Sequence, residues 1–285
     1  MDYEDLNLRP TSNEEMPIIL SVPVENSHNW LKIAGAVVLV IAVGATGYLV
    51  FRNRQTAAPA ATPAAAAQPA TDVAGALGAD IAPIALPPLN DSDDVVRGLV
   101  KELSSNPSVL AWLMTDNLIR NFTVVVSNIA AGEPAARQVT VLRPKGSFQV
   151  EERGEDLFIN SRSYDRYHPL TTAATSIDPE GAAKLYTTLK PRINEAYAEL
   201  GQGGTTFDQT LERAIVLLLR TPVHEGRLAV EPNGAVGYRF DDPALEKLTP
   251  TQKLLIRFGP ENQRAVQTSL RNIALALGIP PDRLQ

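Results

Sequence analysis

Apolar and polar residues follow three patterns along this chain. From Ile33 to Phe51 there is no alternation at all. The run IAGAVVLVIAVGATGYLVF holds nineteen residues without a charge or a proline. At the helical rise it spans roughly 28 Å, close to the ~30 Å hydrocarbon core of a bilayer. It predicts one membrane-spanning helix, with Trp30 and Tyr48 at the interfaces and Lys32 reaching back to water. A cleaved secretory signal fits less well, because the leading region is long and acidic and the apolar core is longer than such signals use.

Beyond residue 89 the apolar positions recur at helical spacing. Asp91 or Ser92 is the expected cap, and Val95, Val96, Leu99, Val100 and Leu103 follow. Asn106-Pro107 breaks that helix. A second carries Val109, Leu110, Trp112 and Leu113, and a third carries Leu118, Ile119, Phe122 and Val126 before Gly132. The period then shortens. Gly146 to Val150 alternates, Glu151 to Asp156 turns, and Leu157-Phe158-Ile159 follows, which predicts a short hairpin. Helical signals return at Ser163. Asp178 caps a long helix with Pro179 at its first position, and Pro191 inside it predicts a kink or break. Phe207 to Arg220 forms another helix. Arg227 to Val230, Pro232-Asn233-Gly234 and Val236 to Phe240 predict a second hairpin. Thr249-Pro250 starts a further helix to Phe258, and Gly259-Pro260 starts the last, which runs to about Leu277. The expected fold class is mainly α (α+β): a multi-helix globular domain with two small β-hairpins, preceded by one transmembrane helix and a Pro/Ala linker.

Composition changes this picture in three places. Residues 1–29 are polar and acidic and are expected to be a disordered tail, with 30–54 the anchor and its flanks. Residues 55–89 are rich in alanine and proline and read as a linker, able to reach on the order of 100 Å if fully extended. Residues 90–285 are the globular domain. The chain carries 32 acids and 26 bases, of which the domain holds 24 and 22, so no basic footprint for nucleic acid exists. The absence of cysteine excludes disulfides, a lipoprotein anchor and thiolate metal sites. No cofactor is expected. Gly35, Gly44 and Gly47 form no GxxxG pair, so the anchor gives no dimer signal.

From Ser161 to Leu170 the chain reads SRSYDRYHPL. Further matching stretches are Ser176-Ile177-Asp178, Leu185-Tyr186, Ala196-Tyr197, Thr221-Pro222, Tyr238 to Pro243, and Gln252 to Pro260. As a set they resemble the uncharacterised bacterial family known as domain of unknown function 3014. The resemblance spans most of residues 90–280. It implies a single-pass envelope protein of Gram-negative bacteria with a tethered domain, and it brings no established activity.

The densest polar and aromatic cluster is Arg162, Tyr164, Asp165, Arg166, Tyr167 and His168. Tyrosine beside arginine makes a recognition surface, since both offer flat area and hydrogen bonds. The competing reading packs the tyrosines in the core and pairs the arginines with Asp165 or Asp178. Lys253 and Arg257, four apart on one helix face, suit an anionic group, or equally an ion pair with Glu246 or Asp242. Tyr164, Arg166, Tyr167, Lys253 and Arg257 are therefore the candidate binding residues. Tyr186 and Tyr197 read as core packing. The three histidines are His28, His168 and His224, and no HExxH, GxSxG or phosphate-loop motif appears.

The expectation is a membrane-anchored scaffold or adaptor whose tethered domain binds a partner protein or a cell-wall component. A cell-envelope hydrolase using carboxylates with His168 is the alternative, and so is a periplasmic small-ligand receptor. The expected location is the bacterial inner membrane with the large domain periplasmic. A literal count of flanking bases, Lys32 against Arg52 and Arg54, points the other way by one charge.

Overall fold

The computed structural model describes residues 19–20, 77–79, 84–134, 143–234 and 237–285. The predicted span Ile33 to Phe51 and most of the tail and linker lie outside the described residues. Among the described residues no single helix is long and apolar enough to cross a membrane.

Ten α-helices, two short 3-10 helices (Leu89–Asp91 and Pro281–Leu284) and one sheet make up the described fold. Helix α1 spans Asp93–Leu103, α2 Pro107–Leu113 and α3 Leu118–Ala130. Short α4 (Arg162–Asp165) and α5 (His168–Thr175) lead to the long α6 (Pro179–Ala198) and α7 (Phe207–Leu219). A single turn, α8 (Pro243–Glu246), then α9 (Pro250–Ile256) and α10 (Pro260–Ala276) complete the set. The caps account for the starts. The Asp178 side chain accepts from the Gly181 N–H at 2.6 Å, and Thr206 with Gln209, and Thr249 with Gln252, form capping boxes. Before α1, Ser92 sits at the cap position, but its hydroxyl donates to the Leu89 carbonyl.

The break expected at Pro191 does not occur. Helix α6 runs through it, and Pro191 lies on the exposed face, where water can serve the carbonyl that its ring leaves unpaired.

The two predicted hairpins form and join. Strands β2 (Val150–Arg153) and β3 (Asp156–Ile159) turn through Gly154 at φ 66°, so Glu151 and Glu152 stay in the strand. Strands β4 (Ala229–Asn233) and β5 (Gly237–Phe240) make the second hairpin. Leu157 pairs with Val230 and Phe158 with Ala229, which welds the hairpins into one antiparallel sheet. A two-residue strand, β1 (Ile19–Leu20), pairs with Glu151 and Val150 at the β2 edge.

Two cores result. The large one packs α3 against α6 and α7, and α10 against α5, α6 and α7, around Trp112, Phe207, Ile215 and Val266. The small one lies between the sheet and α8 and α9, around Val150, Ile159, Val230, Phe240, Leu245 and Ile256. The packed region begins before Asn90. Leu77 and Leu89 are buried, and the Asp208 carboxylate accepts from the Leu77 N–H at 3.0 Å and from Lys190 Nζ at 2.6 Å. Arg192 donates to the carbonyls of Pro87 and Leu86. The end of the linker sequence is thus strapped along α6 by charged side chains that satisfy its backbone.

Candidate functional site

The segment from Asn160 to Leu170 runs along the seam between the two cores, and its neighbours fix it from both sides. On the sheet side, Ser163 Oγ donates to the Gln149 carbonyl and accepts from the Gln149 N–H, each at 2.8 Å. Asn160 N–H donates to the same carbonyl at 3.1 Å. These bonds hold Phe148 beside α4. On the helical side, Asn262 Nδ2 donates to the carbonyls of Tyr164 and Phe258 at 3.1 and 2.9 Å. Gly259, at φ 82°, lets the backbone press against the Tyr164 ring, where an added Cβ would meet Tyr164 Cγ at 2.5 Å.

Held this way, the two tyrosines divide between the cores. Tyr164 packs on the sheet cluster. Tyr167, 3% exposed, stacks on Phe258 with centroids 4.3 Å apart in the helical core. Burial raises the pKa of both, with Glu151 adding to the effect at Tyr164 and Arg166 and Arg257 opposing it at Tyr167. Both hydroxyls therefore stay protonated. Tyr167 serves the fold.

Arg166 lies between these rings. Its guanidinium carbon is 5.9 Å from the Phe148 centroid and 5.7 Å from that of Tyr167. Nε and Nη1 are closed off from solvent, with no hydrogen-bond partner. Asp165, next in the chain and exposed, makes no ion pair with it. Seven lysines and arginines among the described residues are partly buried: Arg97, Arg120, Arg166, Lys190, Arg192, Lys253 and Arg257. The other six each have an acceptor. Cation–π contact offsets about 0.5–2 kcal/mol, while a buried N–H without an acceptor costs about 1–3 kcal/mol. The fold leaves Arg166 in deficit.

Arg166 lines a cleft of about 400 Å³ between α2, α5 and the 143–145 segment. Arg143 and Lys145 lie on the same cleft, with walls that include Pro107, Pro169 and Leu170. The cleft is cationic and partly apolar, which suits an anionic group with an apolar neighbour.

The other two candidate residues are taken up inside the fold. Lys253 Nζ bonds Glu246 Oε1 at 2.6 Å, which is the ion-pair alternative. Arg257 lies 4.5 Å from the Phe240 centroid and donates to the Tyr238 carbonyl at 3.0 Å. Burial lowers the Arg257 pKa, and the Glu246 carboxylate works against that shift. At Glu246 burial works to raise the pKa. The Lys253 bond and the Phe240 N–H outweigh it, so the net shift is downward.

A second cleft, about 350 Å³, shares Asp165 with the first. It brings Asp165, His168 and Glu261 together with Ser161, Tyr164 and Asn262 at the start of α10. Asp165, His168 and Glu261 are all exposed. Among the described residues no group of three His, Cys, Asp or Glu side chains is set to hold a metal ion. The apolar space bordered by Trp112, Phe122 and Tyr186 is only about 40 Å³.

Sequence reasoning missed Arg143, Lys145 and Glu261. The first two precede a turn and carry no motif. Phe148 was legible as a strand residue, but nothing in its spacing showed it as a platform for Arg166. No curated protein and no solved structure matches this chain. Residues 118–274, more than half of the chain, match the family described as Protein of unknown function (DUF3014), and they include Tyr164, Arg166, Tyr167, Lys253 and Arg257. The chain belongs to that family.

Proposed function

We propose that this chain is a membrane-anchored scaffold or adaptor of the bacterial envelope, whose tethered domain binds a partner protein or cell-wall component at the Arg166 cleft. The observation that carries this reading is the concave cleft lined by Arg143, Lys145 and Arg166, with Arg166 beside two aromatic rings. Arg166 is the one partly buried cation among the described residues with two nitrogens that lack an acceptor, and it shares its cleft with two further bases. The anchor rests on the apolar run, and the periplasmic side on the linker composition.

One feature competes with this topology. Pairing of β1 with β2 needs the tail and the domain on one side of the membrane, whereas a crossing at Ile33 to Phe51 separates them. Magnitudes decide. A two-residue ladder contributes about 1–2 kcal/mol. The run holds ten Ile, Val, Leu and Phe residues. At about −0.3 to −0.6 kcal/mol each, they contribute about 3–6 kcal/mol on insertion. In membranes the crossing wins and the β2 edge is free. The chain has no cysteine of its own, so an Ile19→Cys/Glu151→Cys pair tests this in cells under oxidant. Spanning predicts no intrachain disulfide, and efficient disulfide formation overturns it.

The function itself is tested by photo-crosslinking in cells from Ser108, on the wall of the cleft, in the full-length chain. The expected result is a defined envelope partner captured by the wild type and lost in a stably folded Arg166→Gln variant. Equal capture by both, or capture by neither, contradicts the reading. A second reading, a hydrolase, is favoured by one observation: Asp165, His168 and Glu261 line a single cleft. Their exposure argues against it, since acid–base carboxylates are commonly tuned by burial. Turnover of cell-wall fragments that is lost in Glu261→Gln is the result that would favour it.

A further inference from the structure

Away from the Arg166 cleft, the sheet has an edge at β2 (Val150–Arg153). We infer that this edge takes one extended strand from an envelope partner protein, laid antiparallel to β2, with an apolar residue opposite Val150 and a basic residue opposite Glu152. This rests on the membrane crossing proposed above, which keeps the chain's own tail away from the edge, and is independent of Arg166.

Three observations lead there. The first is the ladder. The Asn160 N–H donates to the Gln149 carbonyl at 3.1 Å, and β2 pairs with β3 in the same register, Glu151 opposite Phe158. Antiparallel pairs alternate, so Gln149, Glu151 and Arg153 turn their backbone groups toward β3, while Val150 and Glu152 turn theirs outward. The edge thus offers an N–H and a carbonyl from each of two residues. The second is what the fold seats there. The chain's own Ile19–Leu20 pairs antiparallel with this edge and sets Leu20 opposite the outward-facing Val150. The edge accepts an added strand in a defined register, and a crossing at Ile33 to Phe51 leaves that place to another chain. The third is the side chains. Val150 is buried in the small core and Glu152 is exposed. Glu151 is held by Arg153 at 2.8 Å and Arg227 at 3.9 Å, whereas Glu152 has no ion pair among the described residues. Residues directly opposite across two strands favour apolar with apolar and acid with base. A second copy fits badly. Two β2 edges paired about a twofold axis over the length of the strand would set Glu151 opposite Glu151, or Glu152 opposite Glu152, like charge against like.

The probe is a peptide of residues 13–22, NEEMPIILSV, carrying Ile19→Cys. It is mixed under mild oxidant with the full-length Glu151→Cys chain in nanodiscs, which has no other cysteine. The expected result is a disulfide at position 151 that forms about tenfold faster than at 153 in the Arg153→Cys chain, which is out of register. N-methylation of the peptide at Leu20 removes the donor that faces Val150 and slows capture about tenfold. N-methylation at Ser21, whose N–H faces away, leaves capture unchanged. Ile18→Lys in the peptide, opposite Glu152, speeds capture about threefold, and Glu152→Lys in the chain reverses that preference. Glu152→Pro removes an outward N–H that β3 does not use, so it blocks capture while urea unfolding stays cooperative. Capture that is absent, equally fast at 153, or indifferent to methylation at Leu20 overturns the inference. A wild-type dimer that Glu152→Pro disperses assigns the edge to a second copy and overturns it too. If the peptide is captured in register but the Ile19→Cys/Glu151→Cys chain closes its own disulfide in cells, the tail is the occupant, and the partner strand falls together with the crossing. If the peptide is not captured and that chain stays open in cells, the crossing stands and the edge is not a docking site.

Discussion

Arg166 and Arg257 are near-twins in setting and opposites in state. Both are partly buried, both lie over aromatic rings, and the charges of both act on Tyr167. Arg257 sits on the sheet side, where strand β5 presents the Tyr238 carbonyl and where Glu246 adds its charge. Arg166 sits where α4 gives way to α5, and no carbonyl or carboxylate is presented to its Nε or Nη1. One region is closed by its own hydrogen bonds, and the other is open at a cleft. A cation that the fold satisfies is part of the fold, and one that it leaves unsatisfied needs another explanation.

Substitutions can break or sharpen this contrast. The largest effect is expected at the hinge between the two regions. Gly259→Ala must adopt φ 82° and drive its Cβ into Tyr164, so a loss of about 3 kcal/mol is expected in urea unfolding, with both clefts disturbed. Next comes Arg257→Met, which leaves the Tyr238 carbonyl without its donor and removes the contact over Phe240. A loss of about 2 kcal/mol is expected.

The Lys253–Glu246 pair gives a smaller, pH-dependent effect. The folded pKa of Glu246 lies below its ordinary value of 4.5. Its contribution is therefore present above that value and is lost as pH falls through the folded pKa. Glu246→Gln should cost about 1 kcal/mol at pH 7 and flatten the fall in stability on acidification below 4.5. Thermal unfolding as a function of pH checks it, and an unchanged acid slope contradicts the assignment.

Much of this fold was legible in the chain. The helices announce themselves through period and caps, as Asp178-Pro179 and Thr249-Pro250 show. What was not legible depends on distant partners. The joining of the two hairpins needs Leu157 to find Val230, and no local pattern encodes that. The strap at the end of the linker sequence likewise depends on Asp208 and Lys190, far along the chain. The site was half legible. Tyrosine and arginine spacing marked the segment around Arg166, but spacing cannot say whether an arginine has an acceptor. Asp165 is its neighbour in sequence yet not its partner. Lys253 and Arg257 looked equally available as residue types and proved to be engaged.

The central claim is that Arg166 serves a ligand and that the fold does not need it. Urea unfolding of Arg166→Leu in the full-length chain tests this most directly, with Arg257→Leu measured beside it. Because the fold gives Arg166 no hydrogen bond to lose, Arg166→Leu should match the wild type within about 0.5 kcal/mol or exceed it, while Arg257→Leu falls by about 2 kcal/mol. If Arg166→Leu falls as far as Arg257→Leu, Arg166 is a structural residue and the cleft loses its claim to be the site.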